Sequence, residues 1–339
     1  MTPEPDFQHE VPADLEALAD AYRLGELREV RFLPNGRMNR NWFVDAERGR
    51  FALKRLTDRD PAVVRRNLGL LDHLAAEGIP VAPAVATIAG DLTCEIEGSA
   101  YYLSEWIDGT HPGAEMNLVQ AGNMGAVIAR IHNALSVPGL GLPAPQPVQV
   151  TANDPAEALA ETARYLKLAD EGEGAFDRMV APVLRERCDL ITASAHLRPD
   201  PAATTGPSGW THGDCQDFNL IWTGDRVGAV IDWDRIRVGP YAMELVRAAV
   251  WQFCGPGAQI DLAKVAAFLT GYREVRPIDP TVLANAARHR WWRMLTHCWQ
   301  LGFHYDRNDP TCDDLFFNDH RLLTWWSANL DTVEAAFGA

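Results

Sequence analysis

Residues 210–234, WTHGDCQDFNLIWTGDRVGAVIDWD, decide the fold of this chain. Two short apolar runs, 220–222 and 227–231, flank a Thr-Gly-Asp-Arg turn. Such runs around a turn predict a β-hairpin. The hairpin should bring three oxygen-bearing side chains toward one end, namely Asp214, Asn219 and Asp232.

The spacing of these side chains suits phosphoryl transfer. That reaction needs an acceptor hydroxyl held in line and a divalent metal ion held by carboxylate and amide oxygens. We expect Asp214 to orient the acceptor hydroxyl or accept its proton, and Asn219 and Asp232 to hold Mg²⁺.

Two motifs in this stretch resemble those of known kinases. HGDCQDFN, residues 212–219, resembles the HGDxxxxN catalytic loop of the aminoglycoside phosphotransferase and choline kinase families, and VIDWD, residues 230–234, resembles their metal-binding IDW segment. The resemblance covers most of the chain. It implies a kinase that moves the γ-phosphate of ATP or GTP, with Mg²⁺, onto a hydroxyl of a small molecule.

The same resemblance implies an α+β, bilobal fold like that of protein kinases. A small antiparallel-sheet N-lobe with a helix would span residues 1–108, and a larger, mainly helical C-lobe with the catalytic loop and acceptor pocket would span 109–339. Residue patterns agree with this division. Short strand-like runs separated by turns lie at 28–33, 41–46 and 50–56, and again at 85–88, 93–96 and 100–107. A helix is predicted from Pro61 to residue 77, whereas segments after 108 read mainly as helices, including 280–303 and 319–337.

A nucleotide-binding lysine is also implied, and the strand FALKR at residues 51–55 offers Lys54. In the related families a glutamate on the N-lobe helix pairs with this lysine. Alignment through LLDHL, residues 70–74, puts Asn67 at that position. An amide bonds an ammonium more weakly than a carboxylate does, so either Asn67 serves or another acid acts from elsewhere.

Two further segments are candidate nucleotide contacts. Residues 34–43 stand where related kinases cover the phosphates, but they hold one glycine, so contacts would come from backbone amides and polar side chains; an ordinary hairpin turn is the alternative. The strand ending YYLSEWIDG resembles the hinge between kinase lobes, whose main chain bonds the purine. The candidates are Asn39, Arg40 and Asn41 in the first segment and Glu105, Trp106 and Ile107 in the second.

Two residues of the motifs have less defined roles. His212 is expected to pack the catalytic loop and bond its backbone rather than to act as an acid or base. Asp234, two positions after the predicted metal ligand, would lie near the metal or form an exposed strand end.

Composition limits the range of partners. The net charge of −15 argues against binding to nucleic acid or an anionic membrane. Six scattered cysteines, the lack of a signal-like start and the lack of a long apolar stretch predict a cytoplasmic protein. The oligomeric state is left open.

The acceptor is the least defined part of the prediction. An antibiotic of aminoglycoside or nucleoside type, in resistance or self-resistance, is the first hypothesis. Homoserine, choline or thiamine is the alternative, because the Asn-rich loop near Asn39 looks more like choline and homoserine kinases. A non-catalytic, nucleotide-binding pseudokinase is the hypothesis of another class.

Overall fold

The computed structural model describes residues 14–34, 40–57 and 59–339. The chain divides into two compact units. The first, called here the sheet unit, comprises Met1–His111, Arg130–Pro143 and His212–Arg237. The second, called the helical unit, comprises Pro112–Ala129, Ala144–Thr211 and Val238–Ala339. The catalytic-loop segment thus groups with the N-terminal sheet, while the lobe boundary near residue 108 stays a prediction.

The sheet unit is built on an antiparallel sheet of six strands. Strand order is β1-β2-β3-β6-β4, and β5 also pairs with β6. Its N-terminal elements are α1 (Leu15–Ala21), β1 (Leu27–Leu33), β2 (Arg40–Ala46), β3 (Gly49–Leu56), α2 (Pro61–Leu68), α3 (Leu71–Ala76), β4 (Ala84–Val85), β5 (Cys94–Ile96) and β6 (Ser99–Glu105).

The sheet and α1 enclose an apolar core. Alternate side chains along β2 and β3 point toward this core, as expected for strands that have one buried face. The turn between these strands has only two residues, because Ala46 pairs with Gly49. The buried core comprises Leu18, Tyr22, Leu24, Trp42, Val44, Ala46, Phe51, Leu53, Val85, Tyr101 and Leu103.

The predicted helix from Pro61 to residue 77 is two helices, so that prediction was wrong in its length. Asp60 caps α2 by accepting a hydrogen bond from the Ala62 N–H at 2.8 Å. The helix ends before Gly69, a residue of low helix propensity. There the Leu70 N–H bonds the Asn67 carbonyl, three residues back, which tightens the turn.

After β6 the chain is mostly helical. Helix α4 belongs to the helical unit up to Ala129 and to the sheet unit from Arg130. The remaining elements are α4 (Leu118–Ala134), α5 (Pro155–Glu171), α6 (Ala175–Ser194), β7 (Ser208–Thr211), β8 (Leu220–Thr223), β9 (Arg226–Val230), β10 (Arg237–Pro240), α7 (Tyr241–Gln252), α8 (Leu262–Val275), α9 (Pro280–Thr296), α10 (Trp299–Leu301), α11 (Asp313–Ala328) and α12 (Leu330–Phe337).

Two predicted long helices are shorter in the structure. The helix expected over 280–303 ends at Thr296, where His297 is extended with φ −139° and ψ 122°. The helix expected over 319–337 begins earlier, at Asp313, and breaks at Asn329, whose φ is −124°. Apolar periodicity continues across both breaks because the flanking helices pack on one core, so the pattern alone did not reveal them.

Within the helical unit, α4 and α8 approach closely through glycine. A Cβ on Gly125 would lie 1.9 Å from the Phe268 carbonyl oxygen, so no larger residue fits there without displacement. Among the residues that the structure describes, no helix has both the length and the apolar character needed to cross a bilayer.

Candidate active site

The catalytic loop follows β7 and turns sharply at Gly213. This residue has φ +84°, and a Cβ there would lie 2.2 Å from the carbonyl oxygen of Arg235. Both the left-handed conformation and the close approach require glycine. The turn brings the loop beside the segment that follows β9.

His212 is a structural residue of this loop. Its ring is fully buried and packs edge-on against Trp233 at 4.7 Å between centroids. The Asp214 N–H donates to Nδ1 at 3.3 Å, so Nε2 carries the proton that reaches the Ile231 carbonyl at 3.0 Å. His212 therefore joins the loop to the segment after β9 through its ring and its Nε2–H.

Hydrogen bonds connect Asp214 to the neighbourhood of Asp232 through Asn219. The Asn219 amide nitrogen donates to the Asp214 carbonyl at 2.7 Å, and the Asn219 carbonyl accepts from the Ile231 N–H at 3.0 Å. Because its amide nitrogen is used in this way, the side-chain oxygen of Asn219 is the atom that remains for a metal ion. The three side chains predicted from the hairpin thus lie in one hydrogen-bonded segment.

Arg235 lies near the catalytic-loop aspartate. Its Nε is 3.8 Å from the Asp214 Oδ2, and both side chains are mostly buried. The guanidinium thus lies within ion-pair distance of the carboxylate that faces the acceptor hydroxyl in the predicted mechanism. The sequence analysis missed Arg235, although its place directly after the VIDWD motif was visible.

The β8–β9 hairpin positions Asp232. Leu220 pairs with Val230, and β9 ends two residues before the aspartate. Asp232 itself adopts a left-handed conformation, φ 68° and ψ 47°. This conformation is uncommon outside glycine but tolerated by Asp and Asn, and it often marks a functional position.

Lys54 on β3 meets two carboxylates from this segment. Its ammonium contacts the Asp232 carboxylate and lies 3.0 Å from the Asp234 Oδ2. Lys54 is 7% exposed and Asp234 is 1% exposed. The structure therefore brings the predicted nucleotide lysine and the predicted metal ligand together, and it places Asp234 in the interior rather than at an exposed strand end.

Burial and charge act against each other in this cluster. For Asp232, burial favours the neutral acid, but the Lys54 ammonium outweighs it and lowers the pKa. For Asp234, burial and then the Asp232 charge raise the pKa, against the opposing effect of Lys54. Burial also disfavours the ammonium, yet the surrounding groups, both carboxylates among them, raise the pKa of Lys54. Asp232 and Lys54 therefore stay charged at neutral pH.

Asn67 lies beside this cluster but bonds other groups. It is fully buried on α2, and its Nδ2 donates to the Asp234 carbonyl at 3.1 Å. Its Oδ1 accepts from Arg66 Nε at 3.1 Å and Nη2 at 2.8 Å. The carboxyl groups next to Lys54 belong to Asp232 and Asp234. They correspond to the second possibility raised in the sequence analysis, that an acid from outside α2 pairs with the lysine.

The predicted phosphate-covering residues fall on different faces of the sheet. Asn41 pairs directly with Lys54 across β2 and β3, so both side chains share one face. Arg40 pairs with Arg55 and lies on the opposite face. Asn39 lies outside the described residues.

The hinge-like strand end is held by its own contacts. The Glu105 N–H donates to the Pro83 carbonyl and the Trp106 N–H to the Arg50 carbonyl, both at 2.9 Å. The Trp106 indole and the Arg50 guanidinium both donate to the Asp108 carboxylate. Two main-chain N–H groups that the resemblance predicted to bond a purine, those of Glu105 and Trp106, therefore bond carbonyl groups of the protein itself. Ile107 follows them in the chain.

The residues present fit a hard divalent cation. Asp232 and Asn219 supply carboxylate and amide oxygens, the ligands that Mg²⁺ prefers. Two carboxyl groups face one ammonium, which leaves negative charge to attract a further cation when both are ionised. Within the described ranges no group of three or more His, Cys, Asp or Glu side chains could by itself hold a metal ion, so the amide of Asn219 would be needed.

The helical unit contains a cavity of about 370 Å³ that suits a small polar ligand. Its walls include Trp251 on α7, Met294 on α9 and the oppositely charged side chains Asp319 and Arg321 on α11. The Gln300 amide donates to the Asp319 carboxylate at 2.5 Å, and Arg321 donates to the Asn318 oxygen at 2.5 Å. Burial raises the pKa of Asp319.

Curated relatives align with most of the chain. A homoserine kinase from Beijerinckia indica is 25% identical over 284 residues, which covers 80% of this chain and 79% of the relative. A homoserine kinase from Pseudomonas aeruginosa is 28% identical over 286 residues, covering 83% of this chain and 81% of the relative.

Solved structures share the fold. An aminoglycoside phosphotransferase from Alicyclobacillus acidocaldarius superposes with a TM-score of 0.65 at 18% identity, covering 97% of this chain and 96% of that one. A spectinomycin phosphotransferase, solved with ADP and spectinomycin, gives a TM-score of 0.63 at 17% identity, covering 92% and 97%. These similarities confirm the kinase-like α+β fold.

The model of the phosphotransferase enzyme family matches residues 29–278, a range that includes Lys54, the catalytic loop and Asp232. Kinases of this family use a nucleotide with a divalent metal ion. The chain therefore belongs to the phosphotransferase enzyme family and is a small-molecule phosphotransferase that acts on hydroxyl groups.

Proposed function

We propose that this enzyme transfers the γ-phosphate of ATP to a hydroxyl of a small amino-bearing metabolite, with homoserine as the first candidate. The observation that carries the nucleotide part is the contact of Lys54 with Asp232, next to the hydrogen-bonded segment that holds Asp214 and Asn219. A cation for phosphate, oxygen donors for a metal and a carboxylate for a hydroxyl are thus all found within one unit.

Each residue has a distinct task in this proposal. Lys54 binds the nucleotide phosphates from β3, and Asn41 on the same face of the sheet lies in position to bond them. Asn219 and Asp232 hold Mg²⁺, which when bound neutralises charge on the phosphates. Asp214, which forms an ion pair with Arg235, orients the acceptor hydroxyl and accepts its proton. The Ile107 main chain bonds the purine at the strand end.

The choice of acceptor rests on two supports. The curated relatives named above are homoserine kinases. The cavity of about 370 Å³ in the helical unit combines a carboxylate, Asp319, with a guanidinium, Arg321. An α-amino acid carries one ammonium and one carboxylate, which match these two charges. The cavity volume lies within the range of ligand sites, about 300–1,000 Å³.

An acceptor panel tests this proposal. Purified enzyme with Mg²⁺ and either ATP or GTP is incubated with homoserine, choline, thiamine, an aminoglycoside or a nucleoside antibiotic, and nucleoside diphosphate release is measured. Homoserine with ATP should give the highest kcat/KM, and the phosphorylated product is identified by mass spectrometry. Asp214→Asn is the control for contaminating kinases.

The outcomes separate the competing hypotheses. Turnover with an antibiotic but not with homoserine would replace the proposed acceptor and leave the chemistry in place. Preference for GTP would change only the nucleotide. Tight nucleotide binding without acceptor-dependent release, over the whole panel, would favour a pseudokinase.

A further inference from the structure

The partner of Lys54 in this chain differs from the one that the family resemblance implies. The glutamate expected on the N-lobe helix is replaced by Asn67, which bonds the main chain of Asp234 instead. We propose that Asp234 is the carboxylate that holds Lys54 for nucleotide binding, and that Asn67 is a positioning residue that fixes Asp234. This inference rests on the proposed role of Lys54 as the nucleotide lysine.

Burial distinguishes Asp234 from Asp232 as the lasting partner of the lysine. The Asp234 side chain has no exposed surface, whereas that of Asp232 is 20% exposed. In its ionised form a carboxylate without access to water is stabilised by a cation held close to it, and the Lys54 ammonium lies 3.0 Å from the Asp234 Oδ2. Asp232, which is partly exposed and in a left-handed conformation, is the carboxylate that can exchange the lysine for another cation.

The orientation of the Asn67 amide follows from its two partners. Arg66 has only donors, so it must face the amide oxygen of Asn67, and the amide nitrogen must then face the Asp234 carbonyl. The middle residue of the short segment Trp233–Arg235 is thereby attached to α2. Since the Asp234 side chain starts from this fixed main chain, Asn67 limits where its carboxylate can lie.

The same geometry explains why an amide is suitable at position 67. A carboxylate there would place an oxygen against the Asp234 carbonyl, with no hydrogen between the two acceptors. The carboxylate now comes from the segment after β9, and the helix supplies the hydrogen bond that holds it.

Nucleotide binding without turnover provides the primary test. The dissociation constant of a non-hydrolysable ATP analogue is measured by calorimetry, with Mg²⁺ and no acceptor, for Lys54→Met, Asp234→Asn and the double variant. Loss of a charge-assisted hydrogen bond should weaken binding by about tenfold to a hundredfold in each single variant. The double variant should be no weaker than Lys54→Met alone, because Asp234 acts through the lysine.

A second pair of measurements separates a lysine partner from a metal ligand. In EDTA, Asp234→Asn should still weaken analogue binding, whereas Asp232→Asn should weaken it only in Mg²⁺. An Asp234→Asn effect confined to Mg²⁺, a fully additive double variant, or tighter binding by Asp234→Asn would each overturn the proposal.

Asn67 is tested by its coupling to Asp234. Asn67→Ala should weaken analogue binding by about threefold to tenfold, a typical effect of one neutral hydrogen bond, and raise KM for the nucleotide but not for the acceptor. In an Asp234→Ala background, Asn67→Ala should have no further effect on binding. Asn67→Gln, which keeps the donor, should restore part of the affinity; if Asn67→Ala does not yield folded protein, Arg66→Met, on the exposed side, takes its place.

A matched control distinguishes positioning from general stability. Asn329 in the helical unit also donates its amide to a main-chain carbonyl, that of Trp325 at 2.8 Å. Asn329→Ala should lower the melting temperature without changing nucleotide affinity. An equal loss of affinity in Asn329→Ala, or an unchanged affinity in folded Asn67→Ala, would reduce Asn67 to a structural residue. If the unmodified enzyme binds neither ATP nor GTP, the proposed function itself fails, which is a separate result.

Discussion

Each unit has a buried cationic side chain, and the two differ in whether their partners are charged or neutral. Lys54 in the sheet unit lies against two carboxylates, Asp232 and Asp234. Arg187 in the helical unit is 2% exposed and donates to neutral groups, the carbonyls of Met294 at 2.7 Å and Leu295 at 3.3 Å. Its guanidinium also lies 5.5 Å from the Phe316 ring centroid.

The difference shows how a buried charge can serve structure or chemistry. Carbonyl groups at the end of a helix satisfy a guanidinium without adding net charge, so Arg187 completes the C-terminal end of α9. Two carboxyl groups around one ammonium carry an excess of negative charge when both are ionised, which favours binding of another cation. We infer that the Lys54 cluster is arranged for ligands and that the Arg187 cluster is arranged for stability.

The largest effect is expected at Asp214, next to the carboxylate-rich cluster. Asp214→Asn should lower kcat by about 10²–10⁴-fold, because it removes the group that accepts the hydroxyl proton. The melting temperature and the nucleotide dissociation constant should change little. Steady-state kinetics with calorimetry checks this, and turnover at the normal rate would remove Asp214 from its proposed role.

Arg187→Met should chiefly affect stability. Loss of the guanidinium leaves buried carbonyl groups without their donor, so the free energy of unfolding should fall by about 3 kcal/mol. The kcat of the folded enzyme should be unchanged.

Urea denaturation measures the effect of Arg187→Met on stability, with Arg185→Met as the control. Arg185 is on the same helix but exposed, with only a surface ion pair to Asp170, and should cost less than about 1 kcal/mol. Equal effects would contradict the structural role of Arg187.

Lys54→Met should give the opposite profile. KM for the nucleotide should rise by about tenfold or more, whereas Arg187→Met should leave it unchanged. The control is Arg55→Met, one residue further along β3, whose guanidinium bonds the Ser99 hydroxyl at 2.8 Å on the opposite face. A Lys54 variant that is unstable but binds nucleotide normally would contradict the assignment of the Lys54 cluster to ligand binding.

The smallest effect concerns pH. Burial, and then the Arg187 charge, lower the pKa of His320 below its usual value of 6.5. A lowered folded-state pKa means that stability is present above pH 6.5 and is lost as pH falls through the folded value. Unfolding free energies measured at pH 7.5 and 5.5 should show this loss, and His320→Gln should reduce it. An unchanged slope in His320→Gln would assign the acid sensitivity to other groups, such as the buried His289, whose pKa burial also lowers.

Local sequence predicted the sheet and the catalytic hairpin well. Alternating strands and turn residues mark β1 to β3, and the apolar runs around Thr-Gly-Asp-Arg mark β8 and β9. The helix ends were predicted less well. The breaks at Gly69, His297 and Asn329 interrupt helices whose apolar faces continue on the other side, so periodicity carried no sign of them.

The sequence by itself determined the family, the fold class and the order of the motifs, because the HGD and IDW segments sit at fixed spacing on a hairpin formed by neighbouring residues. Only the tertiary structure decided which acid meets Lys54. Residues 54, 67 and 234 are far apart along the chain, and their contacts depend on the packing of α2, β3 and the segment after β9. Local sequence patterns reflect interactions between residues that are close in the chain, whereas long-range pairing depends on how separate elements pack together.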